Sequence, residues 1–224
     1  MLSSPDVNRV MVCCGDVGDR SKRPKTTTNA VIFGDAGACA VVSKGTADDK
    51  VLFNVHSYGD RWHYLYSEGS GFRYAKNIAS GKYELDENGE IPKKRSFMDG
   101  MGIMDFTLNE VVDNISELIA AAGLDKNDIG AYLFHQPQKL LIDDLAKALE
   151  LNSESVIANA QHIGNASSAS IPLLLTEIGS AWSERPNKKV LMSGFGVGLS
   201  VASVIMDLDN LICLETKHYE RSDV

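Results

Sequence analysis

Long apolar runs are missing from this 224-residue chain, none approaching the about 18–20 residues that cross a bilayer. The opening Met1-Leu2-Ser3-Ser4-Pro5-Asp6 also lacks the basic start and apolar centre of a secretory signal. Basic clusters are scarce. With 22 Lys and Arg against 30 Asp and Glu, the formal charge is −8, which argues against a surface that grips a phosphate backbone. Local patches remain open to an acidic carrier or a cofactor phosphate. A cytoplasmic protein that engages neither membrane nor nucleic acid is expected. Cysteine is sparse too: Cys13, Cys14, Cys39 and Cys213 form no C-x-x-C pair and no metal-like spacing with the five histidines. A reduced compartment and no structural metal are therefore expected. Cys13 and Cys14 point to opposite faces of any strand that holds them.

What is present is enough apolar material, 44% of residues, to build one large domain or two small ones. Arg9 to Gly15, RVMVCCG, is predicted to be a buried strand, and Asp16 to Asn29 a polar loop. Ala30 to Ser43 carries two apolar runs around Gly34-Asp35-Ala36-Gly37, a bent strand or tight turn, and Val51 to Ser57 a further strand. Gly59 to Lys94 has no stable period and is read as a surface excursion with little regular structure. From Leu108 the spacing becomes helical: Leu108, Val111, Val112, Ile115, Leu118, Ile119 and Ala122 share a face, and Gly123 is placed to end it.

A short strand, AYLF, precedes His135-Gln136-Pro137 and a second helix that buries Leu141, Leu145, Ala148 and Leu149. A third helix, about Ser168 to Trp182, is apolar almost all round and so should be covered on most faces, with Pro172 tolerable in its first turns. Strands Lys189 to Met192 and Leu199 to Met206 flank Gly194-Phe195-Gly196-Val197-Gly198. The order β-β-β, then α-β-α-α-β-β, implies an α/β fold with a mixed sheet covered by helices.

The glycine turn invites a nucleotide reading, but a strand-like LSVASVIM follows where a helix N-terminus is needed. A tight hairpin, or a turn whose N–H groups face a reacting carbonyl, fits better. His135 closes a strand, and Asn165 stands just before a buried helix. Each has a plain reading, as a structural histidine and an N-cap. In α/β layers, however, strand ends and helix starts converge on one crevice, the usual ligand site. His162 competes for the same role without a strand terminus, and His56, His63 and His218 receive none.

Several segments together resemble the condensing enzymes of the thiolase superfamily, most closely the β-ketoacyl-acyl-carrier-protein synthase III type. They are VIFGDAGACAVV (31–42), MDGMGIMDF (98–106), FHQPQKLLIDDLAKALEL (134–151), HIGNASSASIPLLL (162–175) and VLMSGFGVGLSVASVIM (190–206). The resemblance implies a thiolase-like α-β-α layered fold, of which the chain holds the C-terminal two-thirds. Residues 1–44 would be the last strands of the N-terminal half, 45–208 the complete C-terminal half and 209–224 a tail. It assigns the catalytic histidine and asparagine to His135 and Asn165, hydrogen-bonding a thioester oxygen as it gains charge. It assigns an oxyanion main-chain donor to the turn Gly196, Val197, Gly198, where Val197 departs from the commoner glycine. Gln136, Gln138 and Lys139 fall where substrate or carrier is met, though Ala-Asn and a following Arg are the usual residues.

The implied reaction is decarboxylative condensation of an acyl thioester with malonyl thioester, using coenzyme A or phosphopantetheine thioesters as substrates and no permanently bound cofactor or metal. The implied partners are an acyl carrier protein and a homo- or hetero-oligomeric assembly. The family's nucleophilic cysteine opens a helix, and none of the four cysteines here does. The nucleophile is therefore expected from a missing N-terminal half or a separate subunit, and this chain alone is not expected to condense. A truncated, catalytically silent packing partner, or acyl transfer to an amine or hydroxyl, remain alternatives.

Overall fold

The computed structural model describes residues 4–17, 32–46, 49–68, 95–182, 184–185, 187–209 and 211–219. Strand β6 (Ala131–Phe134) is buried at every position, because both faces of the sheet around it are covered. It lies in a five-stranded sheet with β3 (Leu52–Ser57), β7 (Val156–Ile157), β8 (Lys189–Gly196) and β9 (Ser200–Asp207), in the order β3-β9-β8-β6-β7. β6 runs parallel to β7 and β8, while β9 is antiparallel to both β8 and β3.

Alternation along β6 divides its side chains between two cores. Tyr132 and Phe134 face helices α2 (Val112–Ala122) and α3 (Lys139–Ala148), packing with Ile115, Leu118, Ile119, Ile142 and Leu145. Ala131 and Leu133 face α5 (Ser170–Trp182) through Leu174, Ile178 and Trp182. The result is the layered α-β-α arrangement expected from the sequence. Each fully buried Leu or Ile contributes about 1.5–3 kcal/mol relative to exposure, so the two cores hold the sheet rigid where the site is built.

The helical period before β6 starts earlier than its apolar pattern showed. Helix α1 (Gly100–Phe106) is capped by the Asp99 carboxylate, which accepts from the Gly102 N–H at 3.0 Å, and a π turn, Thr107–Val111, joins it to α2. Gly123 ends α2 at φ 65°. The first ten residues of the predicted excursion are regular, a 3-10 helix (Gly59–Tyr64) followed by β4 (Leu65–Glu68), which pairs antiparallel with β5 (Arg95–Met98) just beyond the excursion; the remainder, 69–94, lies outside the described residues.

β1 (Arg9–Val17) and β2 (Asp35–Ser43) pair as a separate antiparallel sheet. One face, with Cys14, Ala36 and Ala38, packs on Ala166, Ala169 and Leu173 at the start of α5. Helix α5 is thus held between two sheets, which is why it is apolar almost all round. The strand predicted over Arg9–Gly15 forms, but its burial differs. Its other face is exposed, Met11 by 66%, because among the described residues a helix covers one side only.

Candidate active site

His135 follows the last residue of β6, and its main-chain N–H donates to the Ser193 carbonyl of β8 at 2.8 Å. Its ring stands edge-on to Phe195, with centroids 5.5 Å apart, so two neighbouring strand ends fix both backbone and ring. Nδ1 lies 2.8 Å from the Ser170 hydroxyl at the start of α5. That hydroxyl also reaches the Ser167 carbonyl at 2.8 Å. The carbonyl already accepts the Ser170 main-chain N–H. The hydroxyl has one proton for two acceptors, the Ser167 carbonyl and Nδ1, so its orientation and the imidazole tautomer are coupled. Loss of water around the ring pushes the His135 pKa down to about 4, and the nearby Ser167 carbonyl opposes this only in part. At neutral pH the ring is neutral.

Asn165 follows the short helix α4 (Ala160–Ile163) and is held by backbone from β2's approach. Its N–H donates to the Ile32 carbonyl at 2.7 Å, and its carbonyl accepts the Gly34 N–H at 3.0 Å. This parallel bridge at Phe33 needs glycine: a Cβ on Gly34 would lie 1.9 Å from the Ile163 carbonyl oxygen. The Asn165 Oδ1 accepts the Ser167 N–H at 2.8 Å, which fixes the amide so that its Nδ2 donors point the other way. Asp16, at the end of β1, accepts from the Ser168 N–H at 3.3 Å and its hydroxyl at 2.7 Å. The Ser168 hydroxyl is the main reason its carboxyl titrates below the ordinary value, and desolvation works against it. His135 and Asn165 are thus joined through Ser170 and Ser167.

The turn between β8 and β9 closes the same end of the sheet. Gly196 pairs with Ser200, Val197 is 70% exposed, and Gly198 sits at φ 146°, where a Cβ would meet the Ser200 hydroxyl at 2.2 Å. A hollow of about 300 Å³ lies beside it, lined by Val55, Phe195, Gly196, Val197, Val201 and Ala202 among others. A hollow of about 380 Å³ around Lys126, Tyr132 and Glu150 lies at the other end of β6, away from His135.

Three residues expected to meet substrate or carrier separate here. Gln136 does not face a ligand. It is fully buried, its Nε2 donating to the Phe134 carbonyl and its Oε1 accepting from the Asn159 and Ala160 N–H groups, so it ties β6 to α4. Gln138 is exposed just before α3, and Lys139 is exposed and paired with Asp143. His162 is exposed on α4. Ser167, Ser170 and Asp16 were not singled out from sequence. The one signal for the two serines is the hydroxyl-rich ASSAS that follows Asn165, and Asp16 has none.

Residues 119–208 match the family model described as 3-oxoacyl-[acyl-carrier-protein] synthase III C terminal. They form a synthase III C-terminal domain. This domain contains His135, Asn165 and the glycine turn. The chain is 33% identical over 183 residues to the chloroplastic β-ketoacyl-[acyl-carrier-protein] synthase III of Arabidopsis thaliana, covering 79% of this chain and 45% of that protein. It is also 33% identical over 185 residues to the Streptococcus pyogenes β-ketoacyl-[acyl-carrier-protein] synthase III, covering 80% and 53%. The crystal structure of a 3-oxoacyl-(acyl-carrier protein) synthase from Burkholderia xenovorans superposes with a TM-score of 0.79 at 32% identity, covering 93% of this chain and 58% of that one. The synthase III likeness therefore extends beyond residues 119–208, and the chain spans about half the length of the curated relatives it matches.

Proposed function

We propose that this chain supplies the histidine–asparagine side of a decarboxylating, carbon–carbon bond-forming synthase site, acting on acyl and malonyl thioesters of coenzyme A or an acyl carrier protein. The observation that carries the reading is the linked pair. His135 is neutral and tied at Nδ1 to Ser170, so that its Nε2–H tautomer would donate into the site, and Asn165 is held through Oδ1, which leaves Nδ2 to donate. Two such N–H donors suit a thioester oxygen that gains negative charge as malonyl loses carbon dioxide, at about 3 kcal/mol of transition-state stabilisation each. The N–H groups of the turn at Gly196, Val197 and Gly198 would serve the oxyanion formed when the acyl group moves. Gln138 and Lys139, exposed before and at the start of α3, are offered to the carrier or its pantetheine arm.

The nucleophile is proposed to come from another segment or subunit. All four cysteines are described, and none heads a helix where its thiol would be activated. In this reading β1 and β2, within residues 1–44, complete a first half-fold, 45–208 form the second, and 209–224 are a tail. The exposed apolar side of β3, with Phe53 72% and Val55 59% exposed, is where that partner would pack.

The test is malonyl-thioester decarboxylation by the assembled enzyme, with the cysteine-bearing part present. His135→Ala and Asn165→Ala should each lower carbon dioxide release by 100-fold or more, while acylation of the cysteine proceeds. Unchanged decarboxylation in either variant would remove that residue from the chemistry and favour a silent packing partner.

A further inference from the structure

The outer face of the β1–β2 sheet carries a feature that the proposed reaction does not use. Cys13 and Cys39 stand directly opposite each other in the antiparallel register, with their sulfurs 3.4 Å apart, and both are exposed. The other two cysteines are engaged elsewhere. Cys14, one residue on, turns to the opposite face and packs at the start of α5, and Cys213 donates to the Leu175 carbonyl at 3.1 Å. Directly opposed residues of an antiparallel pair have Cα atoms about 4.5 or 5.5 Å apart. Both spacings fall in the range that a disulfide spans, so side-chain rotation alone brings the sulfurs to bonding distance. The thiols already share a hydrogen bond, and this contact with Cys13 is the main reason that the Cys39 thiol titrates above its ordinary value.

We propose that Cys13 and Cys39 are a reversible thiol–disulfide site that reacts with low-molecular-weight disulfides such as oxidised glutathione. The thiolate of one cysteine attacks a glutathione sulfur, and the glutathione disulfide breaks and releases one reduced glutathione. The facing thiol loses its proton to solvent and attacks the mixed disulfide. This forms the Cys13–Cys39 bond and expels the second glutathione as a thiolate, which takes up a proton. Two protein thiols are oxidised and one glutathione disulfide is reduced, so the exchange balances. In a reducing compartment such a bond is transient, which suits a sensing role rather than a structural one.

Its place in the fold gives it a reach. The clamp on Asn165 adjoins the same two strands: the Ile32–Asn165 and Gly34–Asn165 main-chain bonds come from the residues just before β2, and Asp16 of β1 holds Ser168. A cross-link between residues 26 apart in sequence restricts opening of this hairpin, and hence of the clamp.

The test treats the purified chain with oxidised glutathione, then counts free thiols and maps the cross-linked peptide. Two of the four thiols should disappear from a monomer lighter by two hydrogens, and dithiothreitol should restore them. Cys14→Ser should still form the cross-link. Cys13→Ser and Cys39→Ser should fail to form it and retain one glutathione instead. Hydrogen exchange at the Gly34 and Asn165 amides should slow on oxidation. Four free thiols after treatment, a bond through Cys14 or Cys213, or only intermolecular dimers would overturn the site. A cross-link that leaves Gly34 and Asn165 exchange unchanged would overturn its coupling to the clamp.

Discussion

Titration of His135 probes the site without any need for turnover. The ring sits among strand ends and the first turn of α5, and desolvation lowers its pKa from 6.5 to about 4. That difference corresponds to at most about 3 kcal/mol against the charged ring, an upper bound because the half-buried ring keeps some contact with water. The sign follows from proton linkage. Between pH 6.5 and 4 the unfolded chain binds a proton at this position and the folded chain does not. The stabilisation is complete above pH 6.5, drains away as pH falls towards 4, and is gone below it. The assay is carbon-detected NMR of the imidazole Cε1, assigned by loss of the signal in His135→Asn, with urea unfolding across the same pH range. His135→Asn should flatten the acid side of the stability profile. Ser170→Ala removes the hydroxyl that meets Nδ1, so the ring nitrogen shifts should change as the tautomer balance changes. A midpoint near 6.5 would refute the desolvation argument, and ring nitrogen shifts indifferent to Ser170→Ala would refute the part given to Ser170.

Two further substitutions test the asparagine side. Gly34→Ala places a methyl 1.9 Å from the Ile163 carbonyl oxygen, so the chains must part and the two main-chain bonds around Asn165 are lost. Urea unfolding should show a loss of about 1–3 kcal/mol, whereas Gly37→Ala, whose Cβ has its nearest neighbour at 3.9 Å, should show none through packing. Asp16→Asn replaces the carboxylate that holds Ser168 and should cost about 1 kcal/mol in the same assay. The wild-type contribution is present above the ordinary carboxyl value of 3.8 and is lost as pH drops through the lower folded value, so the two proteins should converge in acid.

Local periodicity carried much of this fold. The face of α2, the strand AYLF and the Gly123 stop are visible because each repeats or breaks a pattern within a few residues. The start at Gly100 was not, because Met98 to Phe106 has no sustained apolar spacing and its start depends on one Asp99 side chain. The site divides the same way. His135 and Asn165 stand at recognisable boundaries, but the bond from His135 to Ser170 joins residues 35 apart, and the one from Gln136 to Asn159 joins residues 23 apart. The family resemblance places Gln136 among the residues that meet substrate or carrier. Chain direction past β6 instead turns its amide inward, where three main-chain groups consume it. The Cys13–Cys39 pairing needs the strand register, which no local pattern supplies.

The two halves of the site also differ in what fixes them. His135 is anchored within the five-stranded sheet, by the Ser193 carbonyl and the Phe195 ring, and that sheet has a core on both faces. Asn165 leans on a two-stranded hairpin with one covered face. Strain or cross-linking in the hairpin should therefore move Asn165 while leaving His135 in place. Gly34→Ala and oxidation of Cys13 with Cys39 should change exchange at the Asn165 amide in opposite directions, and neither should shift the His135 titration midpoint. A midpoint that moved with either perturbation would show that the hairpin and the sheet are one mechanical unit, and that the Ser167–Ser170 segment transmits rather than insulates.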